Sequence, residues 1–87
     1  MVASQIYTEI ARILVETLGV QKEIIGPDSR LVEDLGLDSV DRAQLVAALE
    51  TQFKVKISDE ALDALEGVGD VIRVVEAGHN HQPSRAD

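Results

Sequence analysis

Leu31-Val-Glu-Asp-Leu-Gly-Leu-Asp-Ser-Val-Asp41 joins a glycine-closed turn to the start of a long apolar-periodic segment, and a single serine stands at the junction. From Ser39 to Phe53 the chain carries Val46, Leu49 and Phe53 at helical spacing, with Leu45 beside them. Asp38 is a residue type that accepts from backbone N–H groups at a helix start, and Asp41 lies three residues on, as in a capping box. Gly36 supplies a backbone conformation that a side chain would hinder. These features predict Ser39 in the first turn of a surface helix. Unpaired N–H groups and the positive end of the helix dipole favour a bound phosphate there.

As a nucleophile, this serine would need a base within hydrogen-bond reach and a third group to orient that base. The only histidines, His79 and His81, stand in a polar C-terminal stretch. Gly36-Leu-Asp-Ser-Val40 is not a G-x-S-x-G elbow, because Gly36 precedes Ser39 by three residues and Val40 follows it. The residue reads as an acceptor on which another enzyme installs a group, and the chain as a non-enzyme.

Composition narrows the partners. Eighty-seven residues make one small domain, and with Tyr7 and Phe53 as the only aromatics its core must be aliphatic. There is no cysteine, so neither a disulfide framework nor a thiolate metal site can form. Sixteen acidic residues against eight basic give a net charge of −8, which repels nucleic acid and anionic bilayers and favours basic protein patches. The N-terminus lacks a basic region followed by an apolar run, and no segment approaches the roughly 20 apolar residues of a membrane span. A soluble, monomeric cytoplasmic protein without membrane insertion is expected. His79-x-His81 has no supporting ligand nearby, and no calcium-loop spacing occurs, so no metal site is expected.

Along the chain, Ile6, Ile10, Ile13, Leu14 and Leu18 form an amphipathic stripe, predicting a first helix over about 4–18 with Ser4 as N-cap and Gly19 as its stop. The connection from Gly19 to Asp38 is longer than the roughly 2–8 residues usual between packed helices. Its apolar residues should pack down, Gly26-Pro27-Asp28 should break it, and Leu31 to Leu35 should form a short turn. Helix 2 spans Ser39 to about Phe53, and Lys54-Val-Lys-Ile57 is a short extended link. Ser58, with Asp59 and Glu60 behind it, starts a short third helix to about Leu65. Its inward set is Ala61, Leu62 and Leu65, and Gly67 and Gly69 end it. Val68 or Gly69 to Ala77 gives the fourth helix, with Val71, Ile72 and Val75 inward and Gly78 closing it. Residues 1–78 are thus read as the domain and 79–87 as a disordered polar tail. The fold class is all-α, a four-helix bundle of three main helices and a short third, with a long loop between helices 1 and 2.

Leu35-Gly-Leu-Asp-Ser-Val-Asp41, preceded by Leu31-Val-Glu-Asp34, resembles the prosthetic-group site of acyl carrier proteins, and the likeness runs from about Ser4 to about Gly78 in the family's element order. The resemblance implies that Ser39 is esterified by 4′-phosphopantetheine, whose thiol holds acyl chains as thioesters. It implies supporting roles for Asp38, Asp41 and Gly36, the two aspartates helping to engage a phosphopantetheinyl transferase and its metal–coenzyme A complex. It further implies docking of ketosynthase, acyltransferase or other acyl-transferring enzymes on helix 2, through Asp38, Val40, Asp41, Arg42, Gln44 and Glu50. The chain departs from the pattern at Val40, where leucine is usual. Gln44, Thr51 and Gln52 stand where acidic residues are common, and Arg42 adds a positive charge. The diluted face points to a specialised carrier with a restricted partner set, in fatty-acid or specialised lipid biosynthesis. Ala43, Ala47 and Ala48 are either good helix formers or space for an acyl chain. A peptidyl or polyketide thiolation protein is the alternative within the class. A small acidic helical interaction module with unmodified Ser39 is the alternative outside it.

Overall fold

The computed structural model describes residues 2–80, with backbone alone for 79 and 80. Four α-helices follow in order: α1 (Ala3–Glu16), α2 (Ser39–Phe53), α3 (Asp59–Asp63) and α4 (Val68–Asn80), with a 3₁₀ turn at Lys22–Ile24 in the long loop. The expected all-α architecture with its long first connection is what forms. Helix α1 presents Ile6, Ile10, Ile13 and Leu14 to the core, α2 presents Leu45, Val46, Leu49 and Phe53, and α4 adds Val68, Val71 and Val75. The link after α2 alternates as its sequence does, with Val55 and Ile57 buried and Lys54 and Lys56 exposed. No polar or charged residue is buried among those described. The core is aliphatic apart from Phe53, and each large side chain removed from it would cost about 2–5 kcal/mol.

Four boundaries differ from the sequence reading, one being the end of α1, which stops at Glu16 rather than about Leu18. Helix α1 begins at Ala3 rather than Ser4, because the Gln5 side chain reaches back to accept from the Val2 N–H (3.3 Å) and supplies the cap expected of Ser4. Helix α3 stops at Asp63, and Gly69 does not end it but sits in the first turn of α4. Gly78 does not close α4, which runs on through Asn80. A Cβ at Gly78 would lie 2.8 Å from both Cβ and Cγ1 of Val55, so this glycine lets α4 press against the α2–α3 link. Residues 81–87 of the expected disordered tail, and the His79–His81 side-chain pair, lie outside the described residues.

The feature that periodicity does not show is a clamp between the long loop and the start of α4. Leu31 N–H donates to Glu66 C=O (2.9 Å) and Val68 N–H to Ser29 C=O (3.0 Å), forming an isolated antiparallel bridge at Arg30 and Gly67. The Ser29 hydroxyl accepts from Gly26 N–H (2.8 Å) and donates to Ile24 C=O (3.0 Å), fixing one side. Asp70 fixes the other by accepting from the N–H groups of Glu66 (3.0 Å) and Gly67 (3.1 Å), and it also pairs with Arg73.

The Glu66 N–H chiefly, with the Gly67 N–H and Arg73, holds the Asp70 carboxyl below its ordinary value of 3.8 against the opposing effect of burial. A carboxyl depressed in the folded state adds stability that is complete above its unfolded value and is lost as pH falls through the folded value. Urea unfolding of Asp70→Asn should therefore show a flatter loss of stability below about pH 4 than the wild type. Parallel acid limbs would remove Asp70 as the clamp's titrating group. At Gly78, alanine should destabilise the fold by overpacking (about 1–3 kcal/mol), against the roughly 1 kcal/mol it gains as a helix former. In a Val55→Gly background, which removes both the Cβ and the Cγ1, the clash disappears and the same substitution should stabilise. An equal effect in both backgrounds would refute the contact.

Candidate functional site

The site begins at the turn that delivers the chain to α2. Between Arg30 and Leu37 the backbone closes on itself: Asp34 and Leu35 N–H both reach Arg30 C=O (3.0 Å), Gly36 N–H reaches Val32 C=O (3.0 Å), and Leu37 N–H reaches Leu31 C=O (2.9 Å). The Asp34 carboxylate accepts from Arg30 N–H (2.8 Å) and staples the turn from outside. Leu31, Leu35 and Leu37 point into the core, whereas Val32, Glu33 and Asp34 face solvent. Gly36 has φ +72°, with nothing within 4 Å of where a Cβ would stand, so the left-handed backbone rather than crowding requires the glycine.

The turn ends on Asp38, the N-cap of α2. Asp38 and Asp41 form the expected capping box: Asp38 Oδ1 accepts from Asp41 N–H (2.8 Å), and Asp41 Oδ2 accepts from Asp38 N–H (3.2 Å). One oxygen of each carboxylate is used and the other is left. Arg42 N–H begins the helical ladder by donating to Asp38 C=O (3.0 Å). The box leaves the N–H groups of Ser39 and Val40 outside its hydrogen bonds. Ser39 is the first helical residue and is exposed, and it takes no part in the cap. Its hydroxyl therefore stands free at the positive end of a helix of 15 residues.

The six residues expected on one docking face do not share one. Val40 is 63% exposed and is followed at helical spacing by Gln44, Ala47 and Thr51, all exposed. This outward stripe carries no charge. Asp38 is exposed and Asp41 half-buried at the cap. Glu50 is half-buried on another side of the helix, where its Oε2 accepts from Ile57 N–H (2.8 Å) and secures the α2–α3 link. Arg42 is half-buried as well, in register with the core residues Leu45, Val46 and Leu49. Its Nε is enclosed and has no hydrogen-bond partner. Gln52 turns toward α1 and donates to Glu9 (3.2 Å). The helical wheel, laid over the buried residues, could have separated these side chains. Residue type along the chain alone could not.

The alanines split similarly. Ala43 and Ala47 are exposed and Ala48 is half-buried. Ala47 and Ala48 border a groove of about 500 Å³ against α1, together with charged Glu9, Arg12 and Glu16, rather than a space inside the bundle. No cluster of three or more His, Cys, Asp or Glu side chains that could hold a metal ion occurs among the described residues. No helix among them is long and apolar enough to cross a membrane.

The family described as "Phosphopantetheine attachment site" matches residues 8–75. An acyl carrier protein from Wolinella succinogenes is 44% identical over 71 residues, covering 82% of this chain and 93% of that protein. The crystal structure of an acyl carrier protein from Thermotoga maritima superposes with a TM-score of 0.82 at 26% identity, covering 91% of this chain and 92% of that one. With the family match spanning all four helices and a relative this similar over nearly its whole length, the chain belongs to the acyl carrier protein family, whose prosthetic group is 4′-phosphopantetheine.

Proposed function

We propose that this chain is a non-catalytic carrier in which Ser39 bears 4′-phosphopantetheine through a phosphodiester. The group supplies the thiol that the cysteine-free chain lacks, and holds acyl intermediates on it as thioesters. One observation carries the assignment: Asp38 and Asp41 cap each other, so an exposed serine at the first helical position keeps its hydroxyl free. A cap serine would have its oxygen committed to the backbone.

The residues fit the group. Ser39 Oγ would lose its proton and become the bridging oxygen to phosphorus as the pyrophosphate bond of coenzyme A breaks and 3′,5′-ADP leaves, and the uncommitted N–H groups of Ser39 and Val40, with the helix dipole, favour the anion by about 0.3–1 kcal/mol. The second oxygens of Asp38 and Asp41 are outside the capping box and are left for a transferase that presents coenzyme A and its metal. Gly36 holds the turn that aims the cap. Leu31, Leu35 and Leu37 anchor that turn in the core, which fixes the attachment point to the body of the domain.

Acyl-transferring enzymes, such as a ketosynthase or an acyltransferase, would meet the outward stripe from Val40 through Gln44 to Thr51. With no acid on that stripe, electrostatic steering by basic partners is weak, and apolar contact at Val40 counts for more. This supports a specialised carrier with a restricted set of partners. The 44% identity to a protein named as an acyl carrier favours acyl over peptidyl cargo.

Incubation with a promiscuous phosphopantetheinyl transferase and coenzyme A should add one phosphopantetheine mass to the wild type and none to Ser39→Ala. Because Ser39 does not cap α2, the variant should stay within about 0.5 kcal/mol of wild-type stability. No increment on folded wild type, beside a working control carrier, would overturn the assignment. For the partner set, Gln44→Glu with Thr51→Glu should raise the low-salt encounter rate with a housekeeping ketosynthase several-fold, and added salt should erase the gain. Equal rates for variant and wild type at low salt would contradict the restricted-partner reading.

A further inference from the structure

Resting on the assignment of Ser39 as the attachment residue, we infer that Arg42 holds the phosphodiester formed there, as the positioning residue for the root of the prosthetic arm. Arg42 is the exception on its own helix face. Leu45, Val46 and Leu49, which follow it at helical spacing, are buried, with exposures of 0%, 7% and 0%. An aliphatic residue would complete that stripe, yet a guanidinium stands in its place. Its Nε is shut off from water without an acceptor, the one such buried side-chain nitrogen or oxygen among the described residues. Native structures rarely leave a buried donor unpaired. The described ion pairs of arginine involve Arg12, Arg30 and Arg73, so none of them neutralises Arg42.

The missing acceptor has an obvious direction of arrival. Ser39 lies three residues before Arg42, and side chains at that spacing are neighbours, with Cβ atoms about 5–6 Å apart. Helical side chains also lean toward the N-terminus, the direction in which Ser39 lies from Arg42. A phosphodiester on Ser39 Oγ carries its non-bridging oxygens two bonds beyond that atom, through phosphorus, and so extends the acceptor toward the neighbouring side chain at i+3. Arginine and phosphate make charge-assisted hydrogen bonds of planar geometry, which a lysine reproduces only as a point charge. The acids of the same turn, Asp38 and Asp41, are each tied to the other's N–H group. Arg42 thus draws the root of the arm toward the core-facing edge of α2, away from the uncharged outward stripe.

The test compares unloaded and loaded protein, with loading confirmed by intact mass. In ¹⁵N-labelled wild type, loading should shift the Arg42 Nε–H resonance downfield and slow its exchange with water. The ³¹P resonance of the phosphodiester should differ between wild type and Arg42→Met, with Arg42→Lys between them. Arg42→Met completes the aliphatic stripe, so it should raise the melting temperature of the unloaded protein and forfeit the rise that loading gives the wild type. A mass increment with the Arg42 Nε–H and ³¹P signals unmoved would overturn the role of Arg42 and leave Ser39 standing. No increment at all would overturn both. Should Arg42→Met fail to fold, the wild-type resonance alone decides.

Discussion

Two backbone hydrogen bonds, from Leu31 N–H to Glu66 C=O and from Val68 N–H to Ser29 C=O, carry the arrangement of the whole molecule. A connection as long as the one between α1 and α2 is costly to order unless something ties it down. Here the tie is to the start of α4, the helix that packs most broadly against α1. Ser29 and Asp70 act on opposite sides of that junction, each with its side chain committed to backbone groups of its own segment. The loop is therefore held by polar contacts at its surface and by Leu31, Leu35 and Leu37 underneath. Because the loop is fixed, the cap that follows it is fixed, and with the cap the serine.

The same local device closes two segments. At Leu18-Gly19-Val20 and at Leu35-Gly36-Leu37 a glycine at φ +72° reverses the chain, and the residue after it donates back six positions, to Leu14 and to Leu31. In both cases the donor residue, Val20 or Leu37, is carried into the core. A left-handed glycine followed by an apolar residue so converts the end of a helical turn into an anchored corner. The first corner ends α1, and the second aims α2. At the end of α2 itself Lys54 takes the left-handed conformation (φ 57°) without a glycine, stabilised by the burial of Val55 and Ile57 beyond it.

How much of this was legible depends on whether the signal was local. The start of α2, its cap by Asp38 and Asp41, and the need for glycine at position 36 follow from residue types within a few positions of one another, and they stand where the sequence puts them. The glycines at positions 67 and 78 have tertiary reasons, and for Gly78 the sequence signal therefore misleads. Gly78 makes room for Val55, and Gly67 lies against the Ser29 carbonyl, 3.0 Å from where a Cβ would be. Neither neighbour is close in sequence. Ser4 looked like a cap because its type is right, but Gln5 offered the Val2 N–H an acceptor sooner. The six residues expected to meet partners are split around α2 for another reason. Charge alone groups Glu50 and Arg42 with the cap acids, whereas the buried positions of α2 place them on other sides of the helix, one bonded to the α2–α3 link and one in register with the core residues.

Charge on this helix is thus sorted by task rather than spread over a face. The acids at its start shape the cap, and an acid further along secures the next link. The outward stripe carries none. Each carboxylate that closes a backbone hydrogen bond is one that a partner enzyme cannot have wholly to itself, so the net charge of −8 overstates what α2 offers to a basic surface. Two separate requirements meet at the first turn. The helix needs its first N–H groups satisfied, and the attachment role proposed for Ser39 needs a hydroxyl that satisfies none of them. Assigning the cap to the aspartates on either side meets both, because a serine between two capping acids is spared from the role for which serine is otherwise suited. The acidic neighbours are then required by the fold before any enzyme reads them, and an enzyme that does read them finds them already held in place.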